Sequence, residues 1–476
     1  MLPELPPIDE IRHVHFIAIC GTGMGSLACM LADRGFRVTG SDLDVYPPMS
    51  DQLRAAGIDI LKGYSASHVT ENRPDLVVIG NAVRRDNPEA RAAIDGQLPY
   101  ISFADAVTHF FLRGKHSIVV TGTHGKTTCT SLIGWILAHA GLDPSVLVGG
   151  VAANFGSSVR LGEGMHFVIE GDEYDTAFFD KTPKFLHYPA RTLLVTSCEY
   201  DHADIYASLD QVKDAFRRCI EAVPEDGCIV AATDSPAVRE VLAGARARVE
   251  GYGFCEPALW RVSDVAFDRA GTQFTLWRGD DRVSRVRLPM FGRHNVENAM
   301  GAIAVCAAAG LEPERAARAL AEFQGVRRRQ ELRGEAAGVA VIDDFAHHPT
   351  AVRETIAAIR ARYPDRKLWA IFEPRTNTSR RRHFEAEFTK SLEGADHVIL
   401  AGVFRTEQIP ESERLRPEVV IADLRRSGVD AYYLPEVDDI IEHVVRHRSG
   451  KDVVLIMSNG AFGGIWERLL ARLRTS

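Results

Sequence analysis

The chain has 476 residues, which at about 150 residues per domain points to roughly three domains and excludes a single small binding module. With 46% hydrophobic and 25% charged residues it lies in the ordinary globular range, so neither a disordered chain nor a coiled-coil rod is expected. A net charge of -8 and a pI near 6.1 exclude a protein built mainly to neutralise nucleic-acid phosphates, so any bound anion must be caught locally.

The eight cysteines are scattered, with no CxxC and no short regular spacing, which indicates neither a zinc ribbon nor a disulfide framework. The N-terminus MLPELPPIDEIRHVHFIAICG lacks a basic n-region and its apolar run is short, so it fails as a secretory signal. No stretch approaches the ~18 apolar residues of a membrane span. A cytoplasmic protein without membrane or nucleic-acid partners is expected, with its oligomeric state left open.

In chain order, the run 15–20 (HFIAIC) reads as a strand that enters the glycine-rich turn Gly21, Thr22, Gly23, Met24, Gly25 and Ser26, followed by a helix over 27–34. A second strand over 37–40 is followed by Ser41 and Asp42, placing an acid about 20 residues after the glycines, and 76–80 (LVVIG) is a third. This alternation predicts a first α/β unit. The strand 117–120 opens a second unit and runs into Gly122, Thr123, His124, Gly125, Lys126, Thr127 and Thr128 before a helix over 129–140. Strands over 167–170, 192–196 and 228–231 and a hairpin over 274–277 and 283–288 complete it. Four buried-strand patterns, at 339–342, 368–372, 397–400 and 453–457, predict a third α/β unit.

A helix N-terminus preceded by glycines offers unpaired N–H groups and a positive dipole end to an anion. In the second loop, Lys126 adds a cation for the β- and γ-phosphates and Thr127 a hydroxyl for Mg²⁺. The spacing departs from GxxxxGK[ST], because Gly122 lies only three residues before Gly125, yet strand, loop, Lys and two Thr together favour a nucleotide site over a plain turn. The first turn is open to two readings, a structural turn or a diphosphate site. If it binds, Asp42 stands where dinucleotide folds place the acid that meets a ribose hydroxyl, which would suit an NAD-dependent oxidoreductase.

Glu170, Asp172, Glu173 and Asp175 crowd the end of a strand, as does Asp201-His202-Ala203-Asp204 after a short loop. Alone, these read as a solvated acidic loop and a helix cap; beside a phosphate loop whose threonine needs a hard cation, they read as metal ligands. The third cluster, Asp343-Asp344-Phe345-Ala346-His347-His348-Pro349-Thr350, admits both a metal-ligand and a turn-and-cap reading.

GTHGKTT from Gly122, E-x-D-E-x-D from Glu170, DHAD from Asp201, GRHNVENA from Gly292 and DDFAHHPT from Asp343 occur together in one order. In this combination, over essentially its whole length, the chain resembles the Mur ligase family, the ATP-dependent amide-forming ligases of peptidoglycan synthesis. The GxGMxxxA turn and HHPT are similar to the alanine-adding branch. CGTGMGSLA from Cys20, DVYPPMSDQL from Asp44, GNAVRRDNPE from Gly80, GDEYDTAFFDKTPKF from Gly171, EYDHADIY from Glu199 and EPRTNT from Glu373 look closer to the branch that recycles murein peptides.

The resemblance implies an α/β fold of three domains. They are a UDP-sugar-binding Rossmann-like domain (1–113), a central P-loop ATPase-type domain (114–325) and a C-terminal Rossmann-like domain (326–476) that closes on the nucleotide and binds the acceptor. The implied reaction is attack of the UDP-N-acetylmuramate carboxylate on the γ-phosphate of ATP, giving an acyl phosphate that the amine of murein tripeptide, L-Ala-γ-D-Glu-meso-diaminopimelate, then attacks. The family pattern gives Lys126, Glu170 and His202 catalytic roles, with Thr127, Glu170 and His202 as Mg²⁺ ligands. It places ATP on the loop and on Asn295, Arg329 (after a hinge at Gly325) and Asp344, extends to His348, and places the UDP diphosphate on Gly21 to Ser26. Some relatives carry a carbamylated lysine; Lys213 lies in that region without a secure match. Thr376 and Ser379 stand where the alanine-adding branch has arginine, which implies a larger acceptor whose carboxylates use Arg375 or Arg380. The competing readings are L-alanine addition, the oxidoreductase, and a nucleotide-gated binding module without turnover.

Overall fold

The β-branched and aliphatic runs pair into three large sheets in a computed structural model that describes residues 5–45 and 49–475; residues 46–48 of the DVYPPMSDQL stretch lie outside it. The first sheet is fully parallel, in the order Asp59–Lys62, Arg37–Asp42, His13–Ile17, Leu76–Ile79, Tyr100–Ser102. Its strand order reverses beside His13–Ile17, the place where ligands bind in open α/β sheets. The first strand ends at Ile17, three residues before the expected end, and helix Thr22–Asp33 begins inside the glycine-rich segment, five residues before the expected start. Ala18, at φ +67, turns the chain out of the strand, and the glycines that read as a turn are instead the first helical turns.

The central sheet has ten strands. At its middle Thr192–Val195, His116–Thr121 and His166–Gly171 lie side by side and parallel, all buried except at their ends. Helices Lys126–His139 and Arg293–Ala308 cover one face, and helix Leu209–Glu221 covers the other with Val212, Phe216 and Ile220. The expected hairpin is present as Gly271–Arg278 and Asp281–Leu288.

The third sheet has six strands. All pairings are parallel except that of Glu331–Ala336 with Val339–Asp344. It is buried on both faces, by helices Pro349–Arg362, Glu385–Leu392 and Pro417–Arg426 on one and Val437–His447 and Ile465–Arg474 on the other. The N-terminal and central sheets share one apolar core, closed by Phe111 against Phe167 and by a bond between the hydroxyls of Ser26 and Ser158. All eight cysteines are free thiols. Among the described residues no helix is long and apolar enough to cross a membrane.

Candidate active site

Three neighbouring parallel strands of the central sheet end at one edge, and their registers decide what meets there. Val120 pairs with Glu170, and Val195 with Thr121, so the phosphate loop, the acidic loop and the segment after Val195 converge. Both loop glycines are required. Gly122 (φ +138) would drive a Cβ into Thr196 Oγ1, and Gly125 (φ +81) would place one 2.5 Å from Asn298 Oδ1. Thr123 Oγ1 accepts from Glu199 N–H (2.8 Å), His124 N–H donates to Ser197 Oγ (2.8 Å), and Thr128 is buried in the first helical turn. The helix starts at Lys126, three residues earlier than expected, because Gly125 in the left-handed region supplies its N-cap.

Lys126 Nζ donates to Gly122 O (2.6 Å) and Glu173 Oε2 (2.8 Å). Glu173 faces His202 Nε2 with its other oxygen (3.2 Å), so one carboxylate, 3% exposed, bridges the two cations. Burial pushes this carboxyl up, but Lys126 and His202 more than offset it and hold it at about 2. Burial lowers His202 and Glu173 more than restores it, so its pKa is raised. Glu170 behaves oppositely: burial and then Asp172 push it up to about 7. Its Oε2 accepts from Thr127 Oγ1 (3.2 Å) and its Oε1 from Gly149 N–H (2.6 Å), so hydroxyl and carboxylate oxygens stand adjacent, a donor set suited to a hard cation.

Asn295 backs this loop indirectly. It donates to Phe291 O (2.8 Å) and accepts from Asn298 Nδ2 (3.3 Å), and Asn298 lies against Gly125. Arg329 has its guanidinium 4.7 Å over the Phe345 ring, without a hydrogen bond to any described residue, and it carries a favourable charge interaction with Asp344 and Glu170. Asp344 is occupied: its oxygens accept from Gln330 N–H (2.8 Å), Ala346 N–H (2.8 Å) and Thr355 Oγ1 (3.3 Å), which fixes the end of strand Val339–Asp344.

In the first domain Gly23 faces the Phe103 ring, a Cβ on Gly25 would collide with Met49, and Met24 and Ser26 are buried. The N–H groups without an intrahelical acceptor belong to Gly21, Thr22, Gly23 and Met24, and the side chains of Met24 and Ser26 point into the core. Asp42 Oδ2 accepts from Cys20 N–H (2.8 Å), so it braces this turn.

A cavity of about 320 Å³ lies where the C-terminal domain meets the DHAD segment, lined on one side by Asp201, His202 and Asp204 and on the other by His347, Arg375 and Asn459, among others. Thr378 Oγ1 donates to Asp201 (2.6 Å) across the seam. Arg375 lies on the Phe404 ring at 3.7 Å with Glu373 3.4 Å away, and Asn459 Oδ1 is buried without a partner among the described residues. Arg380 departs from the expectation. It is 6% exposed and spends its donors on Thr376 O, Phe404 O, Arg405 O and the Asn377 side chain, because the loop after Glu373 folds over it. Ser379 Oγ accepts from the backbone N–H of both Arg375 and Thr376 (3.0 Å each), setting that turn. Lys213 pairs with Glu240 (2.6 Å).

The sequence singled out neither Glu173 among its acidic neighbours nor Asn298, Asn459 and Lys184. The last donates to Asp172 (3.3 Å) and to Tyr174 Oη (3.2 Å) and lies over Phe103 of the first domain. Its signal is the KTPKF run, which follows the acidic cluster after the five residues TAFFD.

Three family descriptions match in series: Mur ligase family, catalytic domain, over 13–114; Mur ligase middle domain over 120–306; and Mur ligase, glutamate ligase domain, over 328–460. The chain belongs to the Mur ligase family, and is an ATP-dependent ligase of that type. Within the family it is 40% identical, over 96% of its length and 97% of theirs, to the UDP-N-acetylmuramate--L-alanyl-gamma-D-glutamyl-meso-2,6-diaminoheptandioate ligase of Escherichia coli. It is 33% identical, over 97% of its length and 96% of the relative's, to the UDP-N-acetylmuramate--L-alanine ligase of Acetivibrio thermocellus. Among solved structures, a murein peptide ligase of Psychrobacter arcticus superimposes with a TM-score of 0.74 at 36% identity, covering 98% of this chain and 99% of that one.

Proposed function

We propose that this ligase joins L-Ala-γ-D-Glu-meso-diaminopimelate to the carboxylate of UDP-N-acetylmuramate, using ATP and Mg²⁺, in the recycling of peptidoglycan in the cytoplasm. The observation that carries the acceptor assignment is the cavity at the seam. At about 320 Å³, with Arg375 and a buried, unpartnered Asn459 oxygen on its wall, it suits a ligand larger than one amino acid. The identity to relatives named for that tripeptide supports the same reading.

In this reading residues 1–113 hold the UDP-sugar, with the diphosphate at Gly21, Thr22 and Gly23 and Met24, Gly25 and Ser26 shaping the helix beneath it. Residues 114–325 hold ATP on Gly122 to Thr128, and residues 326–476 supply Arg329 and the acceptor wall. A carboxylate approaches a polyanion against charge repulsion, so the chain must present positive charge where the phosphoryl group moves. Lys126 supplies it once the nucleotide draws its ammonium from Glu173, and Arg329 has its guanidinium donors available for the same phosphates. Thr127 and Glu170 would hold Mg²⁺, which cancels further phosphate charge when bound. His202, paired with Glu173 in the free protein, lies on the acceptor cavity and would take a second cation or the acyl phosphate as that pair opens. Arg375 orients an acceptor carboxylate, while Arg380 holds the loop that carries it.

Incubation with UDP-N-acetylmuramate, Mg-ATP and the tripeptide is expected to release phosphate one-for-one with a product of the summed mass less one water. Phosphate release without that product would refute the reading. The L-alanine ligase reading shares every element except the acceptor wall. The oxidoreductase reading leaves Lys126, Thr127 and Glu170 without a task.

A further inference from the structure

Three side chains from two domains converge beside the Lys126–Glu173–His202 cluster: His124 of the phosphate loop, Glu199 before the DHAD segment, and His348, the N-cap of helix Pro349–Arg362. Their nearest ligand atoms all lie within 4.8 Å of one another. His124 Nε2 is 3.5 Å and His348 Nδ1 3.7 Å from the same oxygen, Glu199 Oε2, and the two rings lie 4.7 Å apart. We propose that this is a binding site for a borderline divalent metal ion of the zinc class, held by two imidazoles and one carboxylate across the seam between the phosphate loop and the C-terminal domain.

The hydrogen bonding around the three groups fixes where the lone pairs point. His348 Nε2 lies 3.2 Å from Tyr200 O, which can only accept, so the ring proton sits on Nε2 and Nδ1 carries a lone pair. That lone pair faces a carboxylate oxygen with no proton between them, and its only other partner is the long N-cap bond from Thr350 N–H at 3.3 Å. Glu199 Oε2 is steadied by Thr350 Oγ1 (2.7 Å). His124 Nε2 is buried and has no hydrogen-bond partner among the described residues. The His348 lone pair, the Glu199 oxygen and the unpartnered His124 Nε2 thus face one point, and two of them have supports, an imidazole N–H on a backbone carbonyl and a hydroxyl on the carboxylate, that orient ligands around a metal.

Two imidazole nitrogens and one carboxylate oxygen suit Zn²⁺, whereas Mg²⁺ prefers an all-oxygen set. Ligands at about 2.0–2.2 Å in tetrahedral array lie roughly 3.3 Å from one another, so the 3.5 and 3.7 Å separations close by small side-chain rotations. The other histidine-containing group, Asp105, Asp180 and His187, differs: His187 is already bonded through Nδ1 to Asp105 and through Nε2 to Thr182, both at 2.8 Å. An ion on the first group would tie the phosphate loop to the C-terminal domain. This site does not depend on which acceptor the enzyme uses.

The test is made on the full-length, nucleotide-free protein by titrating Zn²⁺ against a chromogenic chelator and Co²⁺ by its visible spectrum. The expected result is one zinc per chain, an intense low-coordinate cobalt spectrum, and no displacement by millimolar Mg²⁺. Glu199→Gln, and His348→Asn, which keeps an N-cap acceptor, should each weaken zinc by roughly 100-fold or more and abolish that spectrum, while Asp180→Asn should change neither. Zinc affinity and cobalt spectrum unchanged in both folded seam variants, no zinc binding by the unaltered protein, or loss of the site in Asp180→Asn would each overturn the proposal.

Discussion

Replacing Glu173 by Gln keeps its shape and one acceptor oxygen but strips the charge that holds Lys126 and His202. Burial opposes the charged carboxyl, and the two cations overcome that penalty and bring it from 4.5 to about 2. At about 1.36 kcal/mol per pH unit, the shift amounts to about 3 kcal/mol, the lower edge of the ~3–5 kcal/mol expected when one partner is removed from a buried pair. For a folding unit of about 200 residues this lowers Tm by about 6–12 °C. The pH dependence has two arms. The folded carboxyl value lies below the ordinary one, so its contribution is complete above pH 4.5 and is lost as pH falls through about 2. The His202 value is raised, so its share is present below 6.5 and is lost as pH rises through the folded value. Thermal scans of both proteins should therefore give the widest gap between about pH 4.5 and 6.5 and a smaller one above, where Lys126 alone remains paired. A Tm within about 2 °C of the parent at every pH, or a gap that widens above pH 7, would refute the bridging role of Glu173.

Lys126→Ala should lower turnover by at least ~10²–10³, and, because it leaves Glu173 with only His202, it should also lower Tm; combining it with Glu173→Gln should restore much of that Tm, and purely additive losses would contradict the pairing. Gly122→Ala and Gly125→Ala force a Cβ onto Thr196 and Asn298 at positive φ, so each should weaken ATP binding at least tenfold by calorimetry, on the order of 1–3 kcal/mol of strain; unaltered affinity would mean that the loop relaxes freely. Arg375→Ala should raise the KM for peptide with little change in the KM for ATP, whereas Arg380→Ala should lower Tm because it removes bonds to three backbone carbonyls; the reverse pattern would exchange their roles.

The phosphate loop was legible because a strand, two glycines, a lysine and threonines must occupy consecutive positions to wrap an anion, and the structure gives both glycines positive φ. The buried central strands were legible as continuous apolar runs. Among the strands missed, Asp59–Lys62 is a sheet edge without a fully buried residue, Trp260–Asp268 is exposed over its second half, and Ser145–Ala152 is a buried apolar run interrupted by two glycines. Helix starts were read late at both glycine-rich segments, because glycine signals a turn locally while tertiary contacts make it helical. Nothing in E-x-D-E-x-D distinguishes Glu173 from its neighbours; only the convergence of the Lys126 helix and the DHAD segment selects it as the bridge. Arg380 reads as a free cation in sequence, and only the fold of its loop shows its donors turned inward.

The most direct test of the acceptor assignment is kcat/KM for phosphate release with UDP-N-acetylmuramate and Mg-ATP, comparing L-Ala-γ-D-Glu-meso-diaminopimelate with L-alanine and identifying each product by mass. Release that depends on the tripeptide, with L-alanine at least about 100-fold poorer, is the expected result, since a single residue leaves the Arg375 wall unfilled. Efficient release with L-alanine and none with the tripeptide would contradict it and place the chain in the alanine-adding branch.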